Sequence, residues 1–312
     1  FFHPDHAILA SVASRGLGDV YKRQGTGLVK TSEDFGSQGE YPSHPELLDR
    51  LAKDFVNSGW NLRKMIKRIV MSDTYKQKSN LTKSANVKDP YNRLLSRSPR
   101  FRIDAEFVRD SALFASGLLS RDIGGPSVYP YQPNDLWADV SHYGYPSGFT
   151  SQKYLPGSGS SNHRRSMYTV WKRTSPPPSM IIFDAPNRET CTVRRLQTNT
   201  PMQALVLQND PQYLEAAVSL GKIMSLKPTP KEGIEEGFIK TLGRKPKEKE
   251  LTILMSSLTH YISTYETRQK DAVSLLRAGQ YFGRNSIDTK NIAAWTLVAS
   301  TLFNMDEFVT RQ

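Results

Sequence analysis

Cysteine is nearly absent. The single Cys191 in 312 residues excludes an internal disulfide framework and any CxxC metal or haem-attachment motif. Long apolar runs are missing as well, and no stretch approaches the length that crosses a bilayer. The familiar catalytic signatures are lacking: there is no GxSxG elbow, no P-loop, no GxGxxG and no HExxH. Asp34-Phe35-Gly36 spells the kinase magnesium motif, but no Gly-rich loop, β3 lysine or HRD sequence precedes it, which argues against a kinase. No repeat recurs at a fixed period. What is present is ordinary globular material, with 38% hydrophobic and 10% aromatic residues. That is enough to build a core and speaks against wholesale disorder. The length allows one large domain or two modest ones. A lone cysteine fits a reducing compartment, and equally an extracytoplasmic domain without disulfides.

The first residues raise a separate question. Asp19-Val20-Tyr21-Lys22-Arg23-Gln24 can be back-translated to GAT GTG TAT AAG AGA CAG, the transposon end used to attach sequencing adapters. Phe1–Gln24 is therefore read as a foreign or chimeric leader and kept out of fold reasoning. The expectation is an irregular segment with few contacts, and a natural chain that starts near Gly25. The natural N-terminus is then missing, so the lack of a signal peptide carries no information.

The rest reads as mainly α, a single helical domain over 25–312 interrupted by one long irregular insertion. In "SHPELLDRLAKDFVNSG", Ser43 and Glu46 are spaced as a capping box. Leu47, Leu48, Leu51, Phe55 and Val56 follow at helical spacing, and Gly59 can close the helix. A second helix runs from Asn61, with Leu62, Met65, Ile66, Ile69 and Val70 on one stripe and Arg63, Lys64, Lys67 and Arg68 opposite. The short turn between the two predicts a packed hairpin. A third helix, capped near Asp104, is expected to turn Phe107, Leu113, Phe114 and Leu118 inward. Its carboxylates Asp104, Glu106 and Asp110 suit capping and salt bridging. Further helices are signalled by Thr200-Pro201 with Gln203, by Asp210-Pro211 and by Thr229-Pro230 with Glu232. Gly243 marks a stop, and a long helix follows Pro246 with Leu251, Leu254, Leu258, Tyr261, Ile262 and Tyr265 as its apolar face. The last helix packs Ile292, Trp295, Val298, Ala299 and Leu302.

Periodicity stops between Gly124 and Thr198, where Gly, Pro, Ser and Tyr dominate. "MYTVW" and "MIIF" are candidate short strands within it. A loop of this length inside a compact domain points to function. Charge is concentrated there too. Between Lys153 and Arg195, eight cations face Asp184 and Glu189, so +6 of the net +12 lies in one segment. Such a focus favours anionic partners. Arg164, Arg165, Lys172, Arg173, Arg188, Arg194 and Arg195, interleaved with Tyr168, Trp171 and Phe183, form a candidate ligand surface. Arginine forks capture sulfate, carboxylate or phosphate, and aromatic faces stack on sugar rings. The competing reading is that these arginines pair with Asp184, Glu189 and helical carboxylates and staple the insertion down. His163 is either a hydrogen-bonding group in an anion site or part of a solvated loop. Cys191, near Arg194 and Arg195, is either a nucleophile or a small buried side chain. His44 beside a helix start is a structural residue rather than a ligand, and no metal site is read.

A series of stretches carries a family resemblance. "GTGLVKTSEDFGSQGEYPSHPELLDRLAKDF", "RIVMSDTYKQ", "DPYNRLLSR", "RIDAEFVRDSAL", "GGPSVYPYQP", "RRSMYTVWKRTSPPPSMIIFDAPNRETCTVRR", "TNTPMQALVLQNDPQYLEAA", "LGRKPKEKEL" and "AAWTLVASTLFNMDEFVTR" occur in that order. Together they resemble the domain of unknown function 1553 of planctomycete and related bacterial proteins, over nearly all of Gly25–Arg311. In that family a Trp- and Phe-rich segment runs into the "GxGLV" motif, where this chain has the adapter-like peptide.

The resemblance implies an extracytoplasmic (periplasmic or cell-surface) C-terminal module. It would follow other domains of a large exported protein, often including a cytochrome c-like one. It brings no assigned catalytic residues. Any haem c would belong to a separate upstream domain, and no cofactor is expected in this chain. The leading expectation is a module that binds an acidic polymer or a partner domain through the insertion. The alternative is a hydrolase acting on anionic polysaccharide at the same place. Nucleic-acid binding rests on charge alone and lacks a recognisable reading module.

Overall fold

A computed structural model describes residues 27–31, 34, 37–80, 82–133, 136–140, 153–192, 195–279 and 288–311. The leader and Arg194 lie outside the described residues. The chain is mainly α, with fourteen α-helices and one two-stranded sheet among the described residues. In order these are α1 (Pro45–Asn57), α2 (Leu62–Val70), α3 (Asp73–Lys76), α4 (Lys83–Lys88), β1 (Phe101–Arg102), α5 (Ala105–Ala115), α6 (Leu136–Asp139), α7 (Pro178–Ile182), α8 (Pro201–Asn209), α9 (Pro211–Ser225), α10 (Pro230–Leu242), α11 (Glu248–Thr267), α12 (Gln269–Leu276), α13 (Thr289–Phe303), α14 (Asp306–Val309) and β2 (Thr310–Arg311). Strand β1 pairs with β2. The chain divides into two compact units, Phe1–Phe101 with Thr310–Gln312, and Arg102–Val309.

In the first unit, α1 and α2 form the expected hairpin. Leu51, Phe55, Met65 and Ile69 are buried together, with Leu47, Leu48 and Ile66 packed against them. Leu28 joins this core, which explains the apolar residue ahead of the helices. Asn61 caps α2, its side chain accepting from Lys64 N at 3.0 Å. Gly59 adopts φ +71 in the turn, and Trp60 packs edge-on to Phe55 at 5.3 Å. The Ser43–Glu46 capping box does not form. The helix starts after His44 without a side-chain cap, because Ser43 N and Oγ both donate to the Leu28 carbonyl instead, at 2.8 and 3.2 Å. Tertiary anchoring of the entering chain wins over the local cap.

In the second unit, α9 and α13 form the centre. Both are buried on nearly every side, and α10, α11 and α12 pack around them. The close approach depends on Gly221. A Cβ there would lie 2.8 Å from Thr296 N and 2.9 Å from the Trp295 carbonyl carbon, both backbone atoms that cannot give way. Asp210 caps α9 by accepting from Gln212 N at 2.8 Å, Thr229 caps α10 by accepting from Glu232 N at 3.3 Å, and Gly243 ends α10 at φ +68. At Thr200 no side-chain cap forms. Gln203 is buried and donates instead to the carbonyls of Ile182 and Thr198.

Helix α5 presents a different face from the one its aromatics suggest. Ala105, Val108, Arg109, Ala112, Leu113 and Ala115 are buried, whereas Phe107 and Phe114 are 48% and 57% exposed. Small residues at i, i+3 and i+7 make a shallow face that packs closely. The long side chain between them, Arg109, has a specific destination.

Two predictions follow from this packing. Phe55→Ala empties the hairpin core and should cost about 3–5 kcal/mol, read as a lowered denaturant midpoint. A cost below about 1 kcal/mol would show that the stripe is not load-carrying in solution. Gly221→Ala should destabilise the second unit by at least about 2 kcal/mol, because the clash is with backbone rather than with a movable side chain.

Candidate functional site

Among the described residues, the insertion consists of the short helices α6 and α7, two 3₁₀ turns and isolated bridges rather than strands. Gly159–His163 and Ser166–Tyr168 are single 3₁₀ turns. Thr169, in "MYTVW", makes one parallel bridge to Val128, and Ser120 makes another to Arg164. "MIIF" is not a strand: Met180, Ile181 and Ile182 belong to α7, where Pro178 at the start fixes a helical φ.

Its attachment to the helices runs through one buried guanidinium. Arg109 on α5 is 3% exposed. Its Nε donates to Gln212 Oε1 at 2.5 Å, Nη2 to the Asn162 carbonyl at 2.5 Å, and Nη1 to the Arg164 carbonyl at 2.8 Å and Ser166 Oγ at 3.1 Å. Asp110, 3.8 Å from Nη1, accepts from Ser166 N and Oγ at 2.8 and 2.6 Å. Gln212 in turn donates to the Tyr131 carbonyl. A buried charge is tolerated only when hydrogen-bonded and paired, and this one is.

Other titratable groups crowd the same place. Burial, with the Asp210 charge beside it, pushes the Tyr213 hydroxyl well above the ordinary range. Burial also raises the Asp210 carboxyl to about 6, against hydrogen bonds from Gln212 and the Arg109 charge. His163, 12% exposed, places Nε2 3.4 Å from Oε2 of Glu215, which is 2% exposed on α9.

The residues singled out in the sequence divide into three groups. Some are structural anchors. Arg164 donates to the carbonyls of Pro126, Asp122 and Gly124 and lies 3.8 Å over the Tyr168 ring, whose hydroxyl accepts from Gly124 N. Arg195 makes a two-pronged pair with Glu106 at 2.6 and 3.1 Å and reaches Asp104 at 3.7 Å. Burial alone would raise the Glu106 carboxyl, but Arg195 outweighs it and holds the group below its usual range.

A second group stacks on aromatics. Lys172 Nζ lies 4.5 Å from the Trp137 ring centre, and Arg188 lies 4.3 Å from that of Trp171, whose Nε1 donates to the Asn187 carbonyl. The third group is open. Arg165 and Arg173 are exposed and make no side-chain hydrogen bond or ion pair among the described residues. Cys191 is a free, exposed thiol.

Asp184, considered as an arginine partner, instead accepts from Thr198 N and Oγ1. Sequence reasoning passed over Arg109, Gln212 and Glu215 and read Asp210 only as a helix start. The available signal was a charge at the centre of the Ala105/Val108/Ala112 stripe. Among the described residues no group of three or more His, Cys, Asp or Glu is placed to hold a metal, and no helix is long and apolar enough to cross a membrane.

Three variants test this cluster. Arg109→Met strands the Asn162 and Arg164 carbonyls and should cost about 3–5 kcal/mol, and Arg109→Lys should not rescue it, since one ammonium cannot replace the fork. Asp210 has a folded pKa of about 6 against an ordinary 3.8, so the folded state holds the proton more tightly. Its penalty grows as pH rises from 4 to 6 and is absent below. Asp210→Asn keeps the cap and should stabilise by roughly 1–3 kcal/mol near pH 8, fading to nothing near pH 4, in paired thermal melts. A gain that is the same at both pH values would contradict the assignment.

No curated protein and no solved structure matches the chain. A family model does, over residues 21–258, and its description is "Protein of unknown function (DUF1553)". A match over that much of the chain, joined to the mainly helical fold, places the protein as a member of the DUF1553 family.

Proposed function

We propose that this protein is an extracytoplasmic binding module that takes an acidic polymer, of the sulfated or uronic-acid polysaccharide type, on its insertion. The observation that carries this reading is the contrast between the open and the engaged cations. Arg164 and Arg195 are consumed in holding the insertion, while Arg165 and Arg173 are left exposed on the segment so held. A guanidinium with no side-chain partner among the described residues, carried on a fixed backbone, offers a planar pair of donors to sulfate or carboxylate. Arg188 above Trp171 adds a cation already resting on an aromatic face that can meet a sugar ring.

The test separates anchors from ligands. Binding to heparin and to polygalacturonate is measured over a salt series, where a charge-driven contact weakens steadily with ionic strength. Arg165→Ala combined with Arg173→Ala should weaken binding by about tenfold or more without moving Tm. Arg164→Ala should instead lower Tm by a few degrees, roughly as expected for losing a half-buried staple that holds three carbonyls. Absence of binding by the wild type at low salt would leave the insertion as scaffolding.

A further inference from the structure

One turn of the first unit carries apolar side chains outward instead of into the core. At the tip of the α1–α2 hairpin, Trp60 is 51% exposed, Leu62 46% and Val56 39%. The turn that presents them is tightly bonded. Gly59 N donates to the Val56 carbonyl at 2.9 Å, Trp60 N to the Phe55 carbonyl at 3.0 Å, and Asn61 N to Ser58 Oγ at 3.3 Å. One left-handed residue, Gly59, is enough to end α1. Trp60 nevertheless takes φ +61 as well, an unfavourable backbone for a bulky side chain. Its ring meets buried Phe55 edge-on and leaves half of the side chain in solvent. Trp60 is thus held outward on a fixed backbone, and strain of this kind persists only where the surrounding structure enforces it.

The free charges around this tip have one sign. From Phe55 to Ser72 the chain carries Arg63, Lys64, Lys67 and Arg68 and no acid. Arg68 pairs with Asp54 and so cancels the nearest carboxylate of α1. Arg63, Lys64 and Lys67 are exposed and have no ion pair among the described residues. The next acid back along α1 is Asp49, about 10 Å from Val56 along the helix. Apolar and cationic groups are also ordered by depth. Leu62 begins α2, Arg63 and Lys64 follow within the first turn, and Lys67 lies about 7 Å further along the axis.

We propose that this tip docks on an anionic lipid surface. Trp60, Leu62 and Val56 enter the headgroup layer, and Arg63, Lys64 and Lys67 lie against lipid phosphates. The match is one of layers. Each interfacial zone of a bilayer is roughly 5–8 Å deep, apolar on its inner side and anionic on its outer one. The hairpin tip is apolar at its end and cationic over a similar depth, and Lys and Arg stems can reach back to the phosphates. Trp favours this boundary because its body is apolar and its Nε1 polar. Other occupants use less of the tip. An acidic polysaccharide would engage the cations but leave Leu62 and Val56 without a role. A stable protein interface buries about 800 Å² per partner around an apolar centre, more than three half-covered side chains on one turn offer. The proposal stands on the first unit alone and is independent of the polysaccharide reading of the insertion.

The experiment mixes the 312-residue chain with vesicles of phosphatidylcholine containing phosphatidylglycerol, and with vesicles of phosphatidylcholine alone. Cosedimentation is measured over a salt series. Binding should appear on the anionic vesicles and fall as salt rises. Arg63→Ala, Lys64→Ala and Lys67→Ala together should weaken it about 100-fold, at roughly fivefold for each cation near the surface. Trp60→Ala should weaken it by about tenfold through lost apolar burial. Lipid brominated along its acyl chains should quench the fluorescence of the wild type more than that of Trp60→Phe. Arg165→Ala combined with Arg173→Ala should leave vesicle binding unchanged.

No binding to the anionic vesicles at low salt overturns the proposal. Binding that survives both the triple variant and Trp60→Ala, or that is lost with Arg165 and Arg173, places the lipid elsewhere and also overturns it. Sensitivity to the three cations with none to Trp60, and equal binding to soluble polygalacturonate, would make the tip a polyanion site instead. Self-association that depends on Trp60 and needs no vesicle would mean that a second copy covers the tip, which likewise overturns it. Should Trp60→Ala not fold, the triple variant and the quenching of Trp60→Phe still decide.

Discussion

A single arginine in the wrong-looking place organises the second unit. Arg109 stands among alanines and a valine on α5, and burying a guanidinium there costs several kcal/mol unless its donors are met. They are met by Gln212 from α9 and by Asn162, Arg164 and Ser166 from the insertion. This sets the rotation of α5. The face that carries Arg109 must look at α9 and the insertion, and Phe107 and Phe114 are consequently turned outward. It also gives an irregular segment a fixed path, because the carbonyls of a chain without strands still need donors.

The basic character of the insertion is therefore two properties rather than one. Part of the +6 is internal cement, since Arg164 caps three carbonyls and Arg195 locks onto Glu106. Part of it faces out, at Arg165 and Arg173. Charge counted along the sequence cannot separate these, because the cement works largely through backbone carbonyls, which have no signature in side-chain identity. The same holds for the buried acids. Asp210 and Glu215 lie five residues apart at an unremarkable helix start, and only the packing of α9 shows that both meet the insertion.

What was legible followed local rules. The Leu51/Phe55/Met65/Ile69 stripe, the Asn61, Asp210 and Thr229 caps and the Gly243 stop all depend on neighbours within one turn. The misreadings share a cause. Ser43 and Gln203 have side chains suited to a cap, but each is taken by a carbonyl far away in sequence, Leu28 and Ile182. "MIIF" has strand composition but follows three prolines, the last of which starts the helix that takes in Met180, Ile181 and Ile182. Phe107 and Phe114 are apolar enough for a core, yet the face was chosen by a charge. Family membership was legible because it rests on the ordered series of motifs and needs no tertiary knowledge.

The central claim is that the Arg109 guanidinium, more than general hydrophobic packing, holds the insertion in place. Amide hydrogen exchange on Arg109→Met against the wild type tests it most directly, because exchange resolves local opening from global unfolding. The account predicts that the amides of Ser120, Ser166, Tyr168 and Val170, each bonded to or within the insertion, lose protection, while those in the middle of α9 and α13 keep theirs. Unchanged protection at Ser166 and Ser120, or an equal loss throughout the second unit, would contradict it.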